Sequence, residues 1–325
     1  MNPDNSRAGR LLVACTALLL VPACMAGTVD SDAGEVKGGP TVRVALGVDA
    51  SYAPFYLAKE RGMFAKAGVN VELMRTEGGP TAGQAVTAGT AQLAANADST
   101  ALSLMAGDPG LRALGVFQSS GRYLKVVLRD GITSPRQIKT MASIPGLGLY
   151  ATHAYLRRHG IDPGSVTIHQ SSPPEMPGLL QRGTIDAYVL YEPWAAKGAA
   201  SGGHIAGHSG DFGVTYVQWL LAEESWLKNN REVAAKVFKV LAEADRLVTR
   251  DPGAAAKATN QQVKLPMDQT RKVLPEITFR VRGLTGADVA QSAKITDFLA
   301  GQKLIKKSPD LHRALLKGWY ERYAG

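Results

Sequence analysis

Apolar and polar residues alternate at Val42, Val44, Leu46 and Val48, the two-residue period of a half-buried strand. Residues 54–67 then carry apolar positions at helical spacing, and Gly68 ends the run. Val69, Val71 and Leu73 alternate again, and residues 81–88 predict a second helix. A short buried strand over 91–95 leads into a helix over 100–106. Residues 114–117 and 124–128 add two apolar strands. This strand-and-helix rhythm predicts an α/β fold built on a parallel sheet covered by helices on both faces.

From about residue 130 to 214 the rhythm restarts on a smaller scale. Ser134-Pro135 opens a helix, and residues 144–149 predict a weak strand. A helix over 152–159 closes at Gly160, a strand covers 166–168, a helix over 174–182 closes at Gly183, and a strand covers 187–190. Beyond this the pattern changes. Val233, Val237, Leu241, Ala244 and Val248 mark one face of a helix over 232–250, and amphipathic helices are expected over 267–322. A helix-only ending builds no sheet of its own, so it is expected to pack back on the first half.

The first residues place the chain outside the cytosol. Arg7 and Arg10 precede an apolar or small-residue run over 11–21, followed by Pro22-Ala23-Cys24, the layout of a secretory signal over residues 1–23. The apolar run is about half the roughly 20 residues that a membrane-spanning helix needs. Val21-Pro22-Ala23-Cys24 resembles the bacterial lipobox, with Pro22 where a small residue is usual, and makes Cys24 the expected lipidation site. Residues 24–40 are small, polar and Gly-rich, and predict a flexible tether. Both cysteines, Cys15 and Cys24, lie in this terminal stretch, so stability must come from core burial rather than disulfides. Net charge is +9, and removing residues 1–23 takes away Arg7, Arg10 and Asp4, lowering it by one. No Lys/Arg run or aromatic-interleaved basic stripe occurs, so no nucleic-acid partner is expected.

Three stretches share one design, a strand end, a small polar turn and a helix start: residues 49–54, 96–100 and 146–152. Such starts expose unpaired backbone N–H groups at the positive end of a helix dipole, and hydroxyl side chains stand beside them. Ordinary N-capping accounts for any one of them. Three together point to the carboxyl edge of an α/β sheet, where ligands bind.

Tyr52-Ala53-Pro54-Phe55-Tyr56-Leu57-Ala58 and the following Glu60-Arg61-Gly62-Met63-Phe64-Ala65-Lys66-Ala67-Gly68-Val69-Asn70-Val71-Glu72 resemble the opening of a known family. So do Gly89-Thr90-Ala91-Gln92-Leu93-Ala94, Pro173-Pro174-Glu175-Met176-Pro177, Gly183-Thr184-Ile185-Asp186-Ala187 and Glu192-Pro193-Trp194. The family is that of the nitrate/sulfonate/taurine-type substrate-binding proteins of ABC importers, which includes thiamine-precursor binders. The resemblance implies the type II periplasmic-binding-protein (Venus flytrap) fold, two lobes joined by two crossing segments. Lobe one would combine residues 41–125 with 216–325, and lobe two would span 126–215. The crossings would fall near residues 118–130 and 208–221. By the same resemblance Ser51, Tyr52, Asp98 and Ser99 would face the cleft from lobe one, and Tyr150, Thr152 and Glu192 from lobe two, with Trp194 a further ligand-binding candidate. Ser119 and Ser120 stand where the first crossing begins. The chain departs from the family at Lys139-Thr140-Met141-Ala142-Ser143 and in the bulk of Tyr150. Tyr150 is also open to a core-facing role, and Glu192 to a structural ion pair with Arg122.

The expected partners are a small solute, an ABC permease and ATPase, and the membrane through the lipid anchor, with the protein a monomer. Helix starts, hydroxyls and the basic balance favour an anion of the sulfonate, nitrate or carboxylate class. Glu192, Tyr150 and Trp194 would suit a planar N-heterocycle. A surface sensor and an enzyme on the same fold are the other classes to weigh. The chain lacks Gly-x-Ser-x-Gly, P-loop and His-Glu-x-x-His motifs, so no catalytic residue is expected. His204 and His208 lie in too Gly-rich a stretch to align on a helix, so neither a metal nor a cofactor is expected.

Overall fold

β1 (Thr41–Leu46) is covered on both sides: Val42, Val44 and Leu46 enter one apolar cluster and Ala45 another. A strand inside a parallel stack requires that double cover. The computed structural model describes residues 36–325, so the signal segment, Cys24 and the start of the tether lie outside the described residues. After β1 come α1 (Ala53–Glu60), α2 (Met63–Lys66), β2 (Asn70–Arg75), α3 (Gly79–Thr87), β3 (Leu93–Ala97), α4 (Asp98–Gly107) and β4 (Leu111–Ser120). Residues 121–124 cross to a second unit: β5 (Lys125–Arg129), β6 (Thr140–Ser143), α5 (Leu147–Arg158), β7 (Thr167–Gln170), α6 (Met176–Gln181), β8 (Ala187–Leu190), α7 (Trp194–Ala200) and β9 (Gly203–His208). Residues 209–215 return the chain to the first sheet through β10 (Tyr216–Glu223). Then follow α8 (Glu224–Arg250), α9 (Pro252–Val263), α10 (Met267–Val273), β11 (Thr278–Arg282), α11 (Gly286–Gly301) and two short terminal helices.

Two sheets result, with strand orders β11-β4-β10-β3-β1-β2 and β7-β6-β8-β5-β9. Both are mixed, where the sequence pattern predicted a parallel sheet. β1 pairs parallel with β2 and β3, and β6 with β7 and β8, but β10 and β5 run antiparallel to every neighbour. The crossings explain this. β10 and β5 each begin at the junction between the lobes, whereas their neighbours end there. The crossings also bind one another: Gly210 N–H donates to Gly121 O at 2.7 Å, and Ser209 N–H to Leu124 O at 3.0 Å.

Four local expectations are corrected. The helix expected over 54–67 is two, because Gly62 adopts a left-handed φ of 62° between α1 and α2. The weak strand expected over 144–149 is absent. The strand is β6, ending at Ser143, and Gly146 (φ 69°) turns the chain into α5, which is thus a turn longer at its start than the 152–159 helix expected. Ile144, Leu147 and Leu149 mimic strand alternation, but the last two are buried by a helix. The ending is not helix-only either. β11 alternates Phe279 and Val281 and adds an edge strand beside β4, and Ser134 caps only a single 3-10 turn over Pro135–Gln137. α8 buries Ala234, Val237, Phe238, Leu241, Ala244 and Val248 against the first lobe, touching α1 and β11, and leaves helical geometry at Asn230.

Candidate functional site

β1, β3 and β4 all end at the lobe junction, so the turns after β1 and β3 line it, as expected for ligand-binding edges of open α/β sheets. After β1, Asp49 caps a single 3-10 turn over Ala50–Tyr52, its Oδ1 accepting the Ser51 N–H at 2.7 Å. Asp49 is buried, and desolvation raises its carboxyl to about 6 against the pull of its hydrogen bonds. The wholly buried Ser51 accepts from Gln218 Nε2 at 3.1 Å, and the same amide nitrogen meets the Tyr216 hydroxyl. Tyr52 is buried beside them, its hydroxyl pushed upward by desolvation with the Asp49 charge adding to it.

Gln218 faces Ala97 of β3 on one side and Gln118 of β4 on the other. Directly opposed residues of antiparallel strands share a face. This face therefore carries two wholly buried amides. Both polar atoms of Gln118 and the carbonyl of Gln218 have no hydrogen-bond partner among the described residues. An unsatisfied buried polar group costs about 1–3 kcal/mol.

After β3, α4 starts with Asp98 and Ser99. Asp98 Oδ1 accepts the Ser99 N–H at 2.6 Å, and desolvation lifts its carboxyl to about 7. The Ser99 hydroxyl is buried without a partner among the described residues. From the other lobe, Gly146 comes so close that a Cβ there would lie 3.2 Å from Thr100 Oγ1 and 3.6 Å from Thr100 N. The starts of α4 and α5, one from each lobe, thus meet across the junction. Each brings unpaired N–H groups and the positive end of a dipole.

The crossing supplies the remaining wall. Tyr123 stacks between Tyr216 (centroids 5.9 Å, 18°) and Tyr191 (6.4 Å, 7°), and its hydroxyl lies 3.0 Å from Asp49 Oδ1 and 3.1 Å from Glu192 O. Lys125 Nζ donates to Glu192 Oε1 at 2.7 Å and to Glu276 Oε1 at 3.0 Å. Burial lowers the ammonium's pKa, but the bonds to both carboxylates outweigh it and hold Lys125 above its ordinary value. Glu276 precedes β11 in the first lobe, so this cluster ties the lobes together.

The sequence-predicted residues divide by position. Ser51, Tyr52, Asp98 and Ser99 share the lobe-one wall through Gln218 and its β3 neighbour. Ser120 Oγ donates to Glu276 O at 2.6 Å and accepts the N–H groups of Arg122 and Tyr123, so it shapes the crossing. Ser119 points to the opposite face of β4 from Gln118. Glu192 pairs with Lys125, not Arg122, and its second oxygen accepts the Ala196 N–H at 2.9 Å. Trp194 sits under Lys197, 4.3 Å from the ring centroid. Tyr150 turns its hydroxyl to Gln291 of α11 (3.1 Å) and its ring to Phe298. Thr152 is wholly buried, about 200° around α5 from Tyr150, toward lobe two's interior, its hydroxyl without a partner among the described residues. His204 and His208 stand apart, each 3.8 Å from its own carboxylate, Asp130 and Asp211. Sequence reasoning missed Asp49, Gln118, Tyr123, Lys125, Tyr216 and Gln218. The available signal was a glutamine at buried positions of the apolar runs Leu114-Gly115-Val116-Phe117-Gln118 and Tyr216-Val217-Gln218-Trp219-Leu220.

Known proteins share this fold. The periplasmic aliphatic sulphonate binding protein SsuA of Escherichia coli superposes with a TM-score of 0.75 at 17% identity, covering 87% of this chain and 99% of that one. The periplasmic nitrate-binding protein NrtA of Synechocystis PCC 6803 gives 0.73 at 14%, over 87% and 88%. At such identities the likeness shows the fold, that of the periplasmic binding proteins. A Bacillus subtilis (strain 168) protein named for binding aliphatic sulfonates is 20% identical over 305 residues, 84% of this chain and 90% of that one. Residues 37–261 match the sequence model of the NMT1-like family, and the chain belongs to that family.

Proposed function

We propose that this protein is the extracytoplasmic solute-binding component of an ABC importer and captures a small anionic solute of the sulfonate, nitrate or carboxylate class between its lobes. One observation carries the reading: the starts of α4 and α5 meet across the junction beside the buried, unpartnered Ser99 hydroxyl. Two positive dipole ends brought face to face oppose each other, and an anion between them converts that opposition into attraction. Asp98, with its carboxyl lifted to about 7, is about half protonated at neutral pH, and its protonated form adds a donor rather than a repelling charge. The relatives named for sulfonates and nitrate support the solute class. Ser51, Tyr52, Asp98, Ser99, Gln118 and Gln218 form the lobe-one half of the site. Residues 41–125 and 216–325 act as one lobe and 126–215 as the other. Solute that contacts both lobes favours the closed form by its differential affinity. No catalytic step is involved. Cys24 carries the lipid that keeps the monomer near its permease, and mass spectrometry of the N-terminus tests that part.

A second reading has its own support. The Tyr216–Tyr123–Tyr191 stack and the buried carboxylates of Asp49 and Glu192 suit a planar N-heterocycle, which stacks and donates N–H groups. Thermal-shift measurements against alkanesulfonates, nitrate, carboxylates and aminopyrimidines separate the two. Stabilisation by an oxyanion, lost in Ser99→Ala, supports the first. Stabilisation by pyrimidines alone overturns it.

A further inference from the structure

Continuing from the junction, α5 of lobe two lies against α4 and then α11 of lobe one along a stripe with helical spacing. Gly146 abuts Thr100, Gln291 Nε2 donates to the Tyr150 hydroxyl at 3.1 Å, and the rings of Tyr150 and His153 both pack edge-on against Phe298, with centroids 5.3 and 5.1 Å away. One turn further, Arg157 and Gln302 line a rim cavity of about 420 Å³. The spacing 146, 150, 153, 157 is one face of a helix, and Gln291 and Phe298, seven apart, are one face of the other. α11 also packs on α4, the helix that presents Asp98 and Ser99. None of Tyr150, His153, Gln291 or Phe298 contributes a group to the wall built by Asp49, Ser51, Gln118 and Gln218.

We infer that Tyr150 and His153 of lobe two, with Gln291 and Phe298 of lobe one, form a closure latch that sets solute affinity without touching the solute. The inference rests on the reading of the protein as a two-lobed trap. Its physical basis is that these contacts exist only while α5 and α11 are together. They lower the free energy of the closed form alone, and apparent affinity scales with the population of the competent form. The two edge-to-face aromatic pairs, removed together, amount to about a tenfold change in equilibrium, and the neutral hydrogen bond to a smaller one.

Beyond residue 24 the chain has no cysteine, so spin labels at the exposed positions of Arg182→Cys in lobe two and Lys239→Cys in lobe one report the inter-lobe distance cleanly. Pulsed electron resonance on the solute-free protein is expected to show Phe298→Ala displacing the distribution toward longer distances, with Gln291→Ala and Tyr150→Phe displacing it less. Solute affinity should weaken about tenfold in Phe298→Ala, with dissociation faster. Phe298 also packs within lobe one, so Gln291→Ala and Tyr150→Phe carry the test if Phe298→Ala fails to fold. An unchanged distance distribution in folded latch variants overturns the latch. Failure of every tested solute to bind, with the distance shift present, removes the solute reading and leaves the latch standing.

Discussion

The Tyr123 hydroxyl lies 3.0 Å from Asp49 Oδ1, so the first crossing closes directly onto the turn that follows β1. Asp49 receives one further donor, the Ser51 N–H, while desolvation holds its carboxyl at about 6. Above that pH the tyrosine donates to a carboxylate, below it to a neutral acid. Tyr123→Phe should therefore cost about 1.5–3 kcal/mol at pH 7.5, the worth of a hydrogen bond to a charged group, and less at pH 5. Urea unfolding at the two pH values measures this. Equal losses at both would mean that the Asp49 charge is not what the hydroxyl serves.

Lys125 is buried between Glu192 and Glu276, and replacing it leaves a buried carboxylate without its cation. Lys125→Met should destabilise by about 3–5 kcal/mol. The double variant Lys125→Met/Glu192→Gln removes both charges and should recover a large part of that loss. Chemical denaturation of the three proteins is the check, and a double variant no better than the single one would show that lost packing, not the stranded charge, dominates.

The lobe-one half of the proposed site draws on residues that stand out locally in the sequence. Ser51, Tyr52, Asp98 and Ser99 follow strands and begin helical turns, and a strand end followed by a polar helix start is readable within a few residues. The amides of Gln118 and Gln218 were not. Their meeting depends on the register of β4 with β10, which are separated in the chain by the whole of lobe two. Lys125 and Glu276 meet for the same non-local reason. Tyr150 was displaced by one misread turn. With residues 144–149 taken as a strand, it stands at a strand end near the cleft. As the fourth residue of α5 it projects sideways onto α11 instead.

Buried acids give the protein an unusual acid response. Asp98 is raised to about 7 and Asp49 to about 6, both chiefly by desolvation. A raised carboxyl stabilises the fold fully below its unfolded value and loses that contribution as pH rises through the folded value. Stability of the solute-free protein should therefore increase from pH 7.5 toward pH 5. Glu223, raised to about 7, and Asp245, raised well above its ordinary value, act in the same direction. His153, lowered chiefly by burial, acts oppositely as pH falls below the ordinary histidine range. Melting temperatures across pH 5–8 test the trend. Asp98→Asn should flatten the rise between pH 6 and 7.5, and an unaltered slope in that variant would remove Asp98 from the explanation.

Gln118 gives the sharpest separation of binding from stability. It is wholly buried, and neither amide atom has a partner among the described residues. In a strand serving only the core, such a residue is a liability, because its polar group loses water and gains nothing. Gln118→Leu keeps roughly the same shape and removes the unsatisfied amide, so the solute-free protein should be unchanged or more stable by about 1–2 kcal/mol. Under the proposed function, the same amide, opposite Gln218, bonds the bridging solute. The variant should therefore lose at least tenfold in affinity for whichever solute stabilises the parent, consistent with about 1.4 kcal/mol per tenfold. Paired unfolding and calorimetric titration decide the matter. A variant that binds as tightly as the parent would make Gln118 a tolerated defect of the core, and one that is strongly destabilised would mean that water already satisfies the amide.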